Sequence, residues 1–237
     1  MFKRGLENMG KNKTERTDGN RIFDFWLDYD TEADVIFLDS IDNVPIEWVH
    51  PLFYDKAKHL IACGRPTGNE CPICEYLDTL PKDAKDKPYA RDVAFFSIID
   101  LRSFKKEDGT VVEATKKVLQ ANKKTVEQIT REMKSEGVEE LRGSLWSISR
   151  GKDSMPKPAA VGDRYRFRRH PDLDKVLESY GKTEEFLLPF SAEEIMSLVV
   201  YDPEKANELF QGWLSANGKS AAPAQKSSSF KDVKLNF

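Results

Sequence analysis

A chain of 237 residues with 39% hydrophobic residues has room for one substantial domain with appendages, or for two small ones, and can bury a core without disulfides. Lysine and arginine number 37 against 40 acidic residues, so a net charge of -3 excludes a globally basic nucleic-acid binder and leaves only local patches to consider. No apolar run reaches the length of a membrane span, and three cysteines without a secretory signal point to a reducing, cytoplasmic setting.

Residues 1–20 are polar and aperiodic and read as a flexible arm. Ile22–Leu27 and Ala33–Leu38, apolar and rich in aromatic or β-branched side chains, predict two adjacent strands. Trp48 to Phe53 and His59 to Cys63 predict a hairpin, followed by a short helix that starts near Cys71 and ends before Pro81. Val93–Leu101 predicts a long strand, Lys105–Thr110 a turn into Val111–Glu113, and Val118, Leu119, Val126, Ile129 and Met133 a helix over about 117–136. Alternation in Gly143–Arg150 and Arg164–Arg168 predicts two strands. Three helices are expected over 173–180, 192–200 and 203–214, the last two capped by Ser191 and Asp202. From Ser215 the composition is that of a disordered tail. The expected organisation is therefore an arm (1–20), a strand-rich domain (21–170) with a metal subdomain at about 48–80, a helical segment (171–214) and a tail (215–237). The fold class is mainly β with helices (α+β), in the element order of an OB-fold-like Greek-key barrel.

Every cysteine falls in one series, His50-x12-Cys63-x7-Cys71-x2-Cys74. One imidazole and three thiolates form a complete tetrahedral set for structural zinc, with Cys71-Pro72-Ile73-Cys74 as a tight knuckle and the hairpin bringing His50 beside Cys63. His59 is an alternative fourth ligand. Buried free cysteines and a redox pair are the competing readings; the second needs a βαβ setting that the pattern lacks.

Basic residues gather at Arg150, Lys152 and Lys157 and again at Arg164, Arg166 and Arg168. Strand periodicity sends Arg164, Arg166 and Arg168 to one face and Tyr165 and Phe167 to the other. A positive groove with aromatic side chains is what a single nucleic-acid strand requires, since phosphates need cations and bases need π-faces. Trp26, Tyr54 and Trp146 are the candidate stacking residues.

Together, Phe25-Trp26, Val35–Asp39, Trp48-Val49-His50, Cys63, Cys71-Pro72-Ile73-Cys74-Glu75, Phe96–Asp100, Trp146–Arg150 and Ala159–Asp163 resemble the zinc-containing, OB-fold single-stranded DNA-binding proteins of tailed bacteriophages. The resemblance covers about 22–170; the Cys-Pro-Ile-Cys-Glu knuckle and its upstream histidine are its specific part. It implies a protein that coats single strands during phage DNA replication, recombination and repair in the host cytoplasm, with phage replication or recombination proteins recruited through the tail. Such tails are usually acidic, whereas Lys219, Lys226, Lys231 and Lys234 outnumber Asp232 here; Phe230, Leu235 and Phe237 remain as apolar docking residues.

Two other classes compete. Asp28, Asp30, Asp34, Asp39 and Asp42 suggest a metal-dependent nuclease, yet alternation scatters them over both faces, no phosphate loop, nucleophile elbow or H-E-x-x-H helix is present, and a four-ligand zinc has no open position. The expectation is that the protein is not an enzyme. A zinc-ribbon scaffold of a replication or transcription complex is the other reading, which would expose an apolar patch instead of an arginine face.

Overall fold

The computed structural model describes residues 22–81, 87–105, 108–151, 166–169 and 187–218, with the backbone alone for Arg166 and Phe167. It is a mixed α+β protein. In chain order the strands and helices are β1 (Thr31–Phe37), β2 (Ile46–Tyr54), β3 (Ala57–Ala62), α1 (Pro72–Thr79), β4 (Arg91–Asp100), β5 (Phe104–Lys105), β6 (Val111–Val112), β7 (Thr115–Asn122), α2 (Lys123–Ser135), β8 (Leu145–Arg150), β9 (Arg166–Arg169), α3 (Ala192–Met196), β10 (Val199–Val200) and α4 (Pro203–Ala216). None of the described helices is long and apolar enough to cross a membrane.

The chain divides into two compact units, one of 22–47 and 91–197, the other holding 48–90 and 198–218. In the first unit the strands run in the order β7-β4-β1-β8-β9, antiparallel throughout, with Val35 opposite Asp100 and Trp146, Phe96 opposite Leu119, and Ser147 opposite Arg168. Period-two alternation puts Val35, Phe37, Phe96, Ile98, Leu119, Trp146 and Ile148 on one face, where Ile129 and Met133 of α2 and Leu141 cover them. The opposite face buries Ile36, Leu38, Ile99, Ala114 and Leu145. A sheet covered on both faces reads as near-continuous apolar strands, as Val93–Ile99 does. β7 and β9 end the sheet and do not pair with each other among the described residues.

The second unit is the hairpin β2–β3, closed by Asp55 and Lys56 at φ 47° and 60°, with β10 parallel to β3. Two positive-φ residues in a two-residue loop are the primed turn that matches strand twist. Its core joins Leu52 and Ile61 to Ile73, Tyr76 and Leu77 of α1 and to Ala206, Phe210, Trp213 and Leu214 of α4. Gly212 lets the helix come close to the hairpin: a Cβ there would lie 2.5 Å from the Tyr54 ring, which would have to move aside.

Four expectations change. Ile22–Leu27 is not a strand but a strap: it turns Phe25 and Leu27 inward, yet its backbone ladder is limited to a single parallel bridge between Asp24 and Val118. Val118 and Leu119 belong to β7 and not to a helix, since the ladder with β4 outweighs helical spacing; α2 starts only where the Asn122 side chain accepts from the Thr125 N–H. Val199 and Val200 leave the helix begun at Ser191 and pair with Leu60 and Ile61. The hairpin expected from Trp48–Phe53 and His59–Cys63 extends inward at its turn, Tyr54 pairing with Ala57 and leaving only Asp55-Lys56 as the loop. The arm, the helix over 173–180 and the tail from 219 lie outside the described residues.

Candidate metal centre and surrounding surfaces

Three short segments deliver the ligand series to one point. β2 carries His50 inward; β3 ends so that the Cys63 N–H donates to the Trp48 carbonyl at 2.9 Å; Cys71 is the N-cap of α1 and Cys74 lies in its first turn. Pro72 opens α1 without losing a hydrogen bond, as its missing N–H is an unpaired helix-start position anyway. Gly64 allows the intervening loop to close, for a Cβ there would sit 2.9 Å from the Glu70 carbonyl oxygen.

The donor atoms of His50, Cys63, Cys71 and Cys74 all lie within 4.8 Å of one another, and all four residues are buried. His50 Nε2 is 3.3 Å from Cys71 Sγ and 3.4 Å from Cys74 Sγ, and Cys63 Sγ is 3.6 Å from Cys74 Sγ. Tetrahedral zinc with ordinary bond lengths spaces its sulfurs by about 3.8 Å and a nitrogen from a sulfur by about 3.6 Å, so these residues fit such an ion. His50 Nδ1 donates to the Pro88 carbonyl at 2.7 Å, which leaves Nε2 as the electron-pair donor and fixes the ring. The Arg65 N–H serves the Cys63 sulfur and the Cys74 N–H the Cys71 sulfur, as expected of knuckles. His59 stands apart, its ring 6.3 Å from Tyr54, and His50 is the imidazole of the cluster.

Charge is unevenly shared among the thiols. Hydrogen bonding from Cys63 pulls Cys71 well below the ordinary thiol range against the opposing effect of burial. Burial and the negative charge on Cys71 push Cys74 upward, while hydrogen bonding to Cys71 and burial raise Cys63. Thiols crowded in this way resist ionising together, and a divalent cation would relieve that by replacing their protons.

The nucleic-acid candidates are more dispersed. Arg168 is exposed on β9, opposite Ser147, and Arg166 pairs with Ser149. Glu32 and Asp34, opposite those serines on β1, both lie within hydrogen-bond reach of Ser147 Oγ, so acids share this part of the sheet. Lys152, Lys157 and Arg164 lie outside the described residues.

Two candidates, Arg150 and Trp146, are corrected. Arg150 is 3% exposed and donates to the Leu27 carbonyl at 2.7 Å, because its place in β8 aligns it with Trp146 and Ile148 on the core side. Trp146 is fully buried, its ring edge-on to Phe37 at 6.2 Å and its indole N–H donating to Ser144 Oγ at 2.5 Å, and so has no face for a base. Tyr54 packs against Gly212 of α4, and its neighbour Phe53 points outward at 67% exposure. Trp26 remains half-exposed, and it has a companion that alternation did not pick out: Tyr29, exposed by 50%, whose ring covers Arg150 from a loop with no period.

The chain matches no protein-family model and no curated protein.

Proposed function

We propose that the protein binds and coats single-stranded DNA with little sequence preference during phage DNA replication, recombination and repair, and that its metal centre holds structural zinc. The observation that carries this reading is the convergence of His50, Cys63, Cys71 and Cys74, the residues on which the resemblance to phage single-strand binders is most specific. Four protein ligands fill the coordination sphere of zinc, so the ion would brace the β2–β3 hairpin against α1 and supply no catalysis.

The reading extends to an OB-fold-like Greek-key barrel. Numbered among themselves, the strands of the first unit's five-stranded sheet lie in the order 3-2-1-4-5, with α2 between the third and fourth and the metal segment between the first and second. This is the order of an OB barrel cut open between its third and fifth strands. Exposed Arg168 and the basic sequence at Arg164, Arg166, Lys152 and Lys157 would neutralise phosphates, each contact releasing counterions and making affinity salt-dependent. Coating of this kind belongs to the host cytoplasm, and the tail with Phe230, Leu235 and Phe237 would recruit replication or recombination proteins.

The test is titration of a fluorescent oligonucleotide with zinc-loaded protein at two salt concentrations, with duplex as competitor. Tight, salt-sensitive preference for the single strand is the expected result, and Arg168→Glu should weaken binding and flatten the salt dependence. Folded, zinc-loaded protein that ignores the oligonucleotide would overturn the reading. It would favour instead a protein-interaction scaffold, for which exposed Phe53, Trp48 and Tyr89 of the metal-bearing unit are the specific observation.

A further inference from the structure

Between Phe23 and Thr31 the chain forms a strap pinned at many backbone points. Phe25 N–H donates to the Val118 carbonyl and Val118 N–H to the Phe23 carbonyl, while Thr31 Oγ1 donates to the Asp28 carbonyl. Two arginines reach it from the sheet: Arg102 donates to the Trp26 carbonyl at 2.9 Å and Arg150 to the Leu27 carbonyl at 2.7 Å. Asp30 adopts φ 59° and its N–H donates to the Arg150 carbonyl at 2.7 Å, which turns Tyr29 back over the same arginine. The buried Arg150 guanidinium then lies 4.5 Å from the Trp26 ring centroid and 3.8 Å from that of Tyr29, while the two residues stay 45% and 50% exposed.

We propose that Trp26 and Tyr29, bridged by the buried guanidinium of Arg150, form a preorganised stacking step for the bases of single-stranded DNA; this rests on the single-strand reading above. A lone exposed aromatic is ordinary. Two on one strap, fixed by the same buried cation and several backbone hydrogen bonds, have already met the ordering cost that a flexible stacking residue meets on binding. Exposed rings with a cation behind them offer a π-surface and no sequence readout, which suits a protein that must accept every base. The strap also carries Asp28 and Asp30, and Glu32 follows at the start of β1; their charge repels phosphates. The rings therefore take bases, and the phosphates are left to cationic side chains such as exposed Arg168 of β9. Arg150 is a positioning residue here and touches no phosphate.

The experiment compares zinc-loaded full-length protein on an oligonucleotide and on an abasic oligonucleotide of the same length, across a salt series. Loss of the bases should weaken wild-type binding by roughly ten- to hundredfold while the salt slope stays the same. Trp26→Leu and Tyr29→Leu should weaken binding to the intact strand by a similar factor, lose most of the discrimination against the abasic strand, and keep the wild-type salt slope; Trp26→Phe should restore much of the affinity. Thermal melts would establish that each variant is folded, and the abasic arm needs no variant at all. If wild type binds both strands equally, or if folded leucine variants match it, the rings merely shield Arg150 and the stacking step is wrong. Wild type that binds neither strand would instead remove the single-strand reading itself, a result distinct from binding that is indifferent to bases.

Discussion

Two kinds of polar burial operate at the level of single residues, and they respond differently to substitution. At the metal centre the buried groups converge on an ion's position, and Cys71, the thiol that ionises most readily, is the ligand most easily tested. Cys71→Ser should cost more metal affinity than the roughly 10- to 100-fold lost with an outer-sphere partner, measured by chelator competition; metal content unchanged by that substitution would contradict the assignment. Asp100 is a different case, fully buried and clasped by Arg102 at 2.6 Å and Lys117 at 2.9 Å, with the Lys117 ammonium 3.7 Å from the Phe104 ring centroid. Burial works to raise its pKa, but the hydrogen bonds and charges of Arg102 and Lys117 outweigh it and hold the carboxyl below its usual range. A depressed carboxylate adds stability that is complete above the unfolded value of about 3.9 and drains away as pH falls through the lower native value. Asp100→Asn should therefore cost about 3–5 kcal/mol at neutral pH, because Lys117 loses its buried counter-charge, and should flatten the acid limb of the stability curve; denaturant melts from pH 7 to pH 2 read both effects.

Among the elements, α4 shows how a close approach can reverse an ordinary propensity. In a helix interior Gly→Ala usually gains about 0.5–1 kcal/mol, since glycine has more chain entropy to lose. At Gly212 the new methyl would meet the Tyr54 ring at 2.5 Å, a distance that no side chain tolerates without displacement. Gly212→Ala should destabilise the protein by about 1–3 kcal/mol, and shortening Tyr54 in the same chain should recover part of the loss in thermal unfolding. The interaction is specific to this pair because the ring stands between the β2–β3 hairpin and the helix backbone. The capping residues of α4 behave as their sequence suggests: the Asp202 side chain accepts from the Lys205 N–H at 2.8 Å, and Ser191 with Glu194 forms a full capping box at α3.

For the whole chain, the informative fact is that residues 198–218 belong to the same compact unit as residues 48–90. Apolar side chains from α4 fill one cluster with Cys63, Cys71 and Cys74, so a metal bound there would be linked to docking of α4, each strengthening the other. Ending the chain after Ser197 should expose Leu52, Ile61, Tyr76 and Leu77 and lower metal affinity; chelator competition on the shortened protein would show it, and an unchanged affinity would mean that the metal segment folds by itself. Much of this molecule was legible in the residues. The ligand series, the β2–β3 hairpin, the long β4 strand, the helix caps and the α+β class all follow from local chemistry: donor spacing, strand alternation and N-cap preference act within a few residues and do not depend on the rest of the fold. What local pattern misjudged were positions whose state is set by a distant partner. Val118 and Leu119 have helical spacing but pair with β4, Val199 and Val200 pair with β3, and Trp146 and Arg150 turn inward because β8 is covered on that face. Tyr29 over Arg150 depends on a left-handed turn at Asp30 and on contacts more than a hundred residues apart. The sequence by itself determined the three thiol donors, the hairpin and the helix caps, since these are short-range properties of the chain, while the choice of His50 over His59 waited for the fold. Tertiary structure alone decided which faces were buried and which segments shared a core, because burial free energy belongs to the assembled surface and not to any one segment.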